Sequence, residues 1–338
     1  MKKLWYAGLT ATLGVALGGC TGDDPADPGT APDGPSPTPR PQIGSWTPVA
    51  ELPQPRTELS AVALDGLVYV AGGATQGPGA EVFFRYDPGS DSWTELAPLP
   101  DERHHAQLAA ADGTVYLAGG VANRVFPNQA FLGSFSTTET LFAYDVATDT
   151  WREGPPLPGP VGAHAATATD RGTIHVLGGI GEEPIPARDD HLVFDPATGS
   201  WSTLPPMPSA REHLGAAYLD GVIYAAAGRG GGDSVAFEAY DIETQQWTVL
   251  PDVPTARSGV AVVAFQGQVY VFGGETLNGT FDHAERYDPA SRTWQEVTPM
   301  PTARHGLGGA ALADGIVLIG GGPQVGFSYT ADTEIWRP

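Results

Sequence analysis

The chain has 338 residues, with 17 Lys and Arg against 39 Asp and Glu, and with 45 Gly, 32 Pro and one Cys. A net charge of −22 excludes nonspecific attraction to nucleic acid or an anionic membrane surface, which need a basic footprint, and one Cys excludes a disulfide framework or a CxxC pair. So much Gly and Pro breaks up long helices and suits short strands joined by turns, which points to an acidic, all-β protein.

In chain order, Lys2 and Lys3 precede an apolar run from Leu4 to Leu17, followed by Gly18, Gly19 and Cys20. A basic start, a short apolar stretch and small residues before a cut site mark an export signal, and the run is short for a spanning helix. The Cys after Gly-Gly resembles the lipobox of bacterial lipoproteins. That resemblance implies that residues 1–19 are a lipoprotein signal peptide and that Cys20 is lipidated, becoming the mature N-terminus. The protein is then expected to be exported and anchored on the cell envelope, touching the membrane only through the lipid on Cys20. Residues 20–44, rich in Pro, Asp and Gly, have almost nothing apolar to bury and read as a disordered tether.

A repeat occupies residues 45–338. Its inner glycine segments are Gly66-Leu-Val-Tyr-Val-Ala-Gly-Gly, Gly113-Thr-Val-Tyr-Leu-Ala-Gly-Gly and Gly172-Thr-Ile-His-Val-Leu-Gly-Gly. Three more follow: Gly221-Val-Ile-Tyr-Ala-Ala-Ala-Gly, Gly267-Gln-Val-Tyr-Val-Phe-Gly-Gly and Gly315-Ile-Val-Leu-Ile-Gly-Gly-Gly. An aromatic-Asp pair follows each of the first five (Tyr86-Asp87, Tyr144-Asp145, Phe194-Asp195, Tyr240-Asp241 and Tyr287-Asp288), and then Trp93, Trp151, Trp201, Trp247 and Trp294. Double glycine, aromatic-Asp and Trp at a period of about fifty residues resemble kelch repeats. The resemblance implies a six-bladed β-propeller of four-stranded antiparallel blades. The alternating runs and Asp-Gly or Asp-Pro turns agree, since one such sheet cannot bury both faces alone. Small residues crowd the innermost strands, as wedge-shaped blades require.

The sixth unit reaches its third strand at Glu334-Ile-Trp336-Arg-Pro338, whereas the first strand, Ser45-Trp46-Thr47-Pro48, carries a Trp with no unit before it. The N-terminal strand is therefore expected to complete the sixth blade and close the ring; an unclosed or seven-bladed arrangement is the alternative.

In such a blade the start of the inner strand and the loop between the second and third strands share one face. Arg56, Arg103, Arg211, Arg257 and Arg304 begin the inner strands, with Val161-Gly162 in the third unit. Two residues on lie Glu58, His105, His213 and Gly259, with His164 aligned to them, while Thr57, His104, Glu212, Ser258 and His305 fall between. Five of the eight histidines thus reach the axial mouth. Two readings stand: repeat residues that cap strands, or a polar pocket holding an anionic or hydroxylated ligand through Arg forks and imidazoles. Glu58, Arg103, His105, His164, Arg211, His213, Arg257, Arg304 and His305 are the candidate ligand contacts. Three histidines could in principle bind zinc, but no metal site, cofactor or catalytic residue is expected. The second unit's loop, from Gly120 to Tyr144, is the longest and carries Arg124, Phe126, Phe131, Leu132 and Phe135, as a binding lid would.

No nucleophile motif, phosphate loop or HExxH is present, so the leading expectation is a monomeric, non-enzymatic module that binds a protein or glycan at the mouth. The alternative is a cofactor-independent sugar mutarotase similar to the sialic-acid mutarotases, with Glu58, Glu212, Arg211 and the mouth histidines supplying an acid/base pair. Galactose oxidases also contain kelch repeats, but their copper site needs a Tyr–Cys crosslink, and the lone Cys here is in the leader. A purely structural envelope protein is the third reading.

Overall fold

The computed structural model describes residues 42–77, 79–122, 136–181 and 186–338. Cys20, the apolar leader and the Pro/Asp-rich stretch lie outside the described residues, as does the part of the long loop that carries Arg124 and its aromatics. Among the described residues no helix is long and apolar enough to cross a membrane. The described chain forms six four-stranded antiparallel sheets and one small hairpin, Glu275–Thr276 with Gly279–Thr280. The inner strands of the six blades are Ser60–Leu64, Gln107–Ala111, Ala165–Ala168, Gly215–Leu219, Ala261–Phe265 and Gly308–Ala311. The outer strands are Ser92–Glu95, Thr150–Glu153, Ser200–Thr203, Gln246–Val249, Thr293–Glu296 and, from the start of the propeller, Ser45–Pro48. That last strand pairs with Thr333–Arg337, so the ring closes through the N-terminal strand as expected.

The repeat residues are explained by their bonds. Each aromatic of the aromatic-Asp pair lies opposite the outer Trp in the sheet, as in Tyr86–Trp93 and Tyr240–Trp247. The Asp carboxylate closes the turn between the third and fourth strands: Gly89, Ala147, Ala197, Glu243 and Ala290 donate their amides to it in the five blades. The Trp indole then reaches to the preceding blade. Trp93 donates to the carbonyl of Ala50, Trp151 to Ala97, Trp201 to Pro155, Trp247 to Pro205 and Trp294 to Pro251. Trp46 donates to Thr298 and pairs with Trp336, which fills the place of the missing tyrosine. One staple per blade thus runs around the whole ring.

Between blades the core is aromatic and aliphatic: Tyr69 and Phe83 of the first blade pack on Val115, Leu117 and Tyr144 of the second. The paired glycines make that approach possible. Gly72 has φ +61°, and a Cβ there would come within 2.3 Å of the Arg103 carbonyl in the next blade.

Blade three departs from its neighbours. Blades one and four stack Tyr69 on Phe83 and Tyr224 on Phe237, with centroids 5.8 and 5.7 Å apart. In the third blade His175 and His191 replace this pair, joined Nδ1 to Nε2 at 2.8 Å. One ring must donate and the other accept, so at most one can carry a charge, and burial disfavours even that. Burial lowers His175 to about 4 and His191 to about 3. Because the unfolded chain takes up protons near pH 6.5 and the folded chain does not, the pair is harmless above pH 6.5. It destabilises increasingly as pH falls toward the folded values. At pH 5 the cost is about 2 kcal/mol per histidine. The double substitution His175→Tyr with His191→Phe is expected to flatten the fall in denaturation midpoint between pH 7 and 5; an unchanged pH profile would contradict the assignment.

Candidate functional site

The starts of the inner strands meet on the axis in a closed belt of six backbone hydrogen bonds. Glu58 N–H donates to Gly306, Gly306 to Gly259, Gly259 to His213, His213 to Ala163, Ala163 to His105 and His105 back to Glu58, all at 2.7–3.0 Å. Every residue of the belt has a left-handed backbone, with φ of 54°, 54°, 51° and 49° at Glu58, His105, Ala163 and His213, and 65° and 56° at Gly259 and Gly306. Blades five and six use glycine there, the residue that suits this conformation. Blades one, two and four instead hold Glu58, His105 and His213 against a steric cost of about 1 kcal/mol each.

The belt corrects one alignment. Ala163, and not His164, is the third blade's equivalent of His105 and His213. His164 falls one residue later, in the register of Leu59 and Leu214, because this blade has Val161 where the arginine stands elsewhere. Its side chain lies below the belt in the axial neck, 1% exposed. Among the described residues neither ring nitrogen has a hydrogen-bond partner, and burial lowers the imidazole to about 3.

The arginines are corrected too. Arg56, Arg103, Arg211, Arg257 and Arg304 are at most 2% exposed and turn into their own blades, away from the mouth. Arg56, Arg211, Arg257 and Arg304 donate to the carbonyl sixteen residues ahead, at Gly72, Ala227, Gly273 and Gly320. Arg211, Arg257 and Arg304 also pair with Glu238, Glu285 and Glu334 at 2.5–2.6 Å. In blades one and two a phenylalanine takes the glutamate's place, and Arg56 and Arg103 lie over Phe84 and Phe142 at 5.7 and 5.5 Å. Arg103 pairs instead with Asp101 at 2.8 Å, and all five guanidinium groups, enclosed within their blades, offer no fork to a ligand at the mouth.

Above the belt lies a cavity of about 200 Å³. Glu58, His105, His213 and His305 line it as the sequence led one to expect, with Glu212 beside them, and Arg229, Glu275 and Phe327 complete it. Glu212 bonds both His213 Nδ1 and Arg229 Nε, and Arg229 reaches Glu275 at 3.5 Å. His305 donates from Nδ1 to the Gly322 carbonyl at 3.0 Å and turns Nε2 to Glu58 and Glu275, each at 3.5 Å. His105 Nε2 stands 3.4 Å from Glu58, and its Nδ1 meets that of His104. Burial, with Glu275 adding and Arg229 opposing, pushes the Glu58 carboxyl up to about 8. Burial also holds His105 and His213 well below the usual imidazole value and lowers His305. The pocket therefore carries three carboxyl groups, neutral imidazoles and one guanidinium, which suits a hydroxylated or cationic group better than an anion. Below the belt, a second axial cavity of about 360 Å³ runs between the small residues of the inner strands.

Arg229 and Glu275 had a readable signal. Each follows the double-glycine segment and bridges to the residue after the inner arginine, Glu212 and Ser258 respectively. In the other blades this position holds Ala74, Val121, Ile180 and Gly322. A charge at a register otherwise apolar or small marks a departure from the repeat.

The belt's strain is measurable. Ala163→Gly is expected to raise stability by about 1 kcal/mol, and glycine at 105 or 213 to exceed alanine at the same site by a similar amount. Ala216→Gly, in an inner strand, should instead lose roughly 0.5–1 kcal/mol. Denaturant titration that finds alanine equal to or better than glycine at the belt would refute this geometry.

Comparison with known proteins places these features. A family profile described as the KLHDC2/KLHL20/DRC7 Kelch-repeats domain matches residues 132–321, and the Kelch motif matches residues 55–100. Kelch-like protein terF of Aspergillus terreus is 37% identical over 99 residues, covering 28% of this chain and 21% of that protein. Kelch-like protein 40 of Xenopus tropicalis is 34% identical over 108 residues, covering 32% and 17%. Kelch-like protein 35 of Mus musculus is 28% identical over 189 residues, covering 56% of this chain and 30% of that protein. The chain thus spans less than a third of the length of these curated relatives. A solved structure described as "Structure of YjhT" superposes with a TM-score of 0.71 at 18% identity, over 84% of this chain and 96% of that one, a likeness of fold.

Proposed function

The chain belongs to the kelch-repeat family, whose propellers are protein-interaction modules, and from that premise we propose that this propeller is a non-enzymatic recognition module, exported and lipid-anchored through Cys20, that binds its ligand at the axial mouth. The observation that carries the reading is the mouth cavity, where three carboxyl groups, three imidazoles, Arg229 and Phe327 converge on one small space. Pockets of this make, with a few placed polar groups and an aromatic wall, orient a group inserted from a partner. With the other arginines turned inward, the group that fits is a basic side chain of a protein partner or the hydroxyls of a glycan, and no longer a free carboxylate. The strongly acidic surface favours encounter with a basic partner in the same sense. The propeller acts as a monomer in this reading, its partner being another molecule.

A second reading, a cofactor-independent sugar mutarotase, draws on Glu58 and Glu212 facing the same cavity around His213. Two carboxyl groups in one pocket could give and take the proton that ring opening requires.

The test is an array of basic peptides and of reducing sugars, sialic acids among them, probed with the mature chain. Binders found on the wild type should weaken roughly tenfold to a hundredfold in Glu275→Gln and Phe327→Ala, the loss typical of a buried polar or aromatic anchor. Glu243→Ala, on a turn at the opposite face, should bind as wild type. Binding lost with Glu243 and kept in the mouth variants would reject the mouth. Anomer interconversion that disappears in Glu212→Gln while sugar binding persists would replace the module with the enzyme.

The anchor has its own test. Cys20→Ser should abolish incorporation of a labelled fatty acid and leave the propeller's melting unchanged. Undiminished labelling would remove the lipoprotein assignment.

A further inference from the structure

Glu58, His105 and His213 are the three belt residues of blades one, two and four, and among the described residues they form a group whose ligand atoms all lie within 4.8 Å of one another. We propose that these three side chains hold one divalent transition-metal ion of the zinc class on the propeller axis, leaving a coordination position that faces the mouth cavity. The inference goes beyond the recognition reading and does not depend on it.

Three observations carry it. The first is spacing. A tetrahedral ion with ligands at about 2.0–2.2 Å sets neighbouring ligand atoms about 3.3–3.6 Å apart. His105 Nε2 is 3.4 Å from Glu58 Oε2, and the His213 ligand atom lies within 4.8 Å of both. The His105–Glu58 separation exceeds that of a good hydrogen bond and matches the edge of a coordination polyhedron, with His213 near enough to complete a face on binding.

The second is the orientation of the rings. His105 engages His104 through Nδ1, His213 engages Glu212 through Nδ1, and His305 engages the Gly322 carbonyl through Nδ1. A histidine that ligates through one nitrogen while the other is fixed by a carboxylate, a carbonyl or another ring is the usual arrangement at metal centres, because the second bond sets the tautomer and the ring plane.

The third is the backbone. Glycine satisfies the left-handed belt in blades five and six, yet Glu58, His105 and His213 occupy it at φ 49–54°. Strain of this kind persists where the side chain has work that glycine cannot do. Four belt positions carry a left-handed residue other than glycine; Ala163 has no ligating atom, and the other three are the residues that form the cluster.

Charge and donor type select the ion. With the Glu58 carboxyl ionised as a ligand, Glu58, Glu212 and Glu275 against Arg229 leave two negative charges, which one divalent cation neutralises. Arg229 stands 3.3–3.4 Å from the His213 nitrogens and would repel a cation, but Glu212 and Glu275 both hold it. Two imidazoles and one carboxylate suit zinc and its first-row neighbours, whereas magnesium and calcium demand all-oxygen sites.

The test uses the full chain carrying Cys20→Ser, so that the lone thiol cannot compete, stripped with a chelator and titrated with zinc against a chromogenic competitor. One equivalent of zinc is expected to bind and to raise the melting temperature, with magnesium and calcium inert at the same concentration. Glu58→Gln, His105→Ala and His213→Gly should each weaken binding roughly a hundredfold or more, beyond the loss from a supporting residue. His213→Gly is expected to keep or gain stability, so its loss of zinc cannot be misfolding. His164→Ala, in the neck below, should bind as wild type. No stoichiometric binding, equal affinity for magnesium, retention of zinc by any of the three variants, or loss in His164→Ala would each overturn the assignment.

Discussion

The structure turns on the closed belt of six amide-to-carbonyl bonds around the axis. A sheet of four strands leaves two faces and two edges to satisfy, and radial packing satisfies the faces only if each blade is held to the next at a fixed angle. The belt does so at the innermost radius and the tryptophan staples do so at the outermost, with the aromatic core between them. Each belt bond needs its residue to turn left-handed, so that the amide points along the ring toward the neighbouring blade. The same turn throws the belt side chains into one small space on the axis. Closure and part of the site thus come from one backbone conformation: three blades spend it on Glu58, His105 and His213 where two use Gly, while Glu212, Glu275 and His305 join the mouth from the residues around the belt.

Buried charge is treated in opposite ways a few ångströms apart. The inner arginines are sequestered inside their blades: four of them on a carbonyl sixteen residues ahead and Arg103 on Asp101, each with either a glutamate or an aromatic face beside it. Breaking one such pair strands a charge in a medium that cannot solvate it, which typically costs about 3–5 kcal/mol. The internal repeats match this chemistry, since Arg occurs with Glu in blades four to six, Arg with Phe in blades one and two, and Val161 faces Leu192 in the third. At the mouth, by contrast, Glu58, Glu212 and Glu275 share a single guanidinium, and the imbalance is what makes the site able to receive something from outside.

Much of the fold was legible because the repeat writes the same physics six times. The Trp at 46 had no unit of its own, the sixth unit lacked one, and the ring had to close; Trp46 does pair with Trp336. Half of the site was legible for the same reason, since Glu58, His105, His213 and His305 stand at fixed offsets from an inner-strand start. The arginines at that start were not, because a sequence register says which face a residue begins on and not whether its long side chain turns outward or back. His164 was misaligned by one residue where Val161 replaces the arginine that anchored the count. Arg229, Glu275 and Phe327 come from loops that vary between blades, where only a break in the pattern at a single position marks them. The signal peptide, tether and long second loop rest on sequence alone.

Amide hydrogen exchange at the belt tests the central claim most directly, that one ring of hydrogen bonds both closes the propeller and builds its site. The amides of Glu58, His105, Ala163, His213, Gly259 and Gly306 should be among the slowest in the protein and should exchange together, at the rate of global unfolding, because opening one bond of a closed ring requires its neighbours to part. Exchange of these six amides at the rates of exposed turns, or blade by blade with widely different protection, would contradict it.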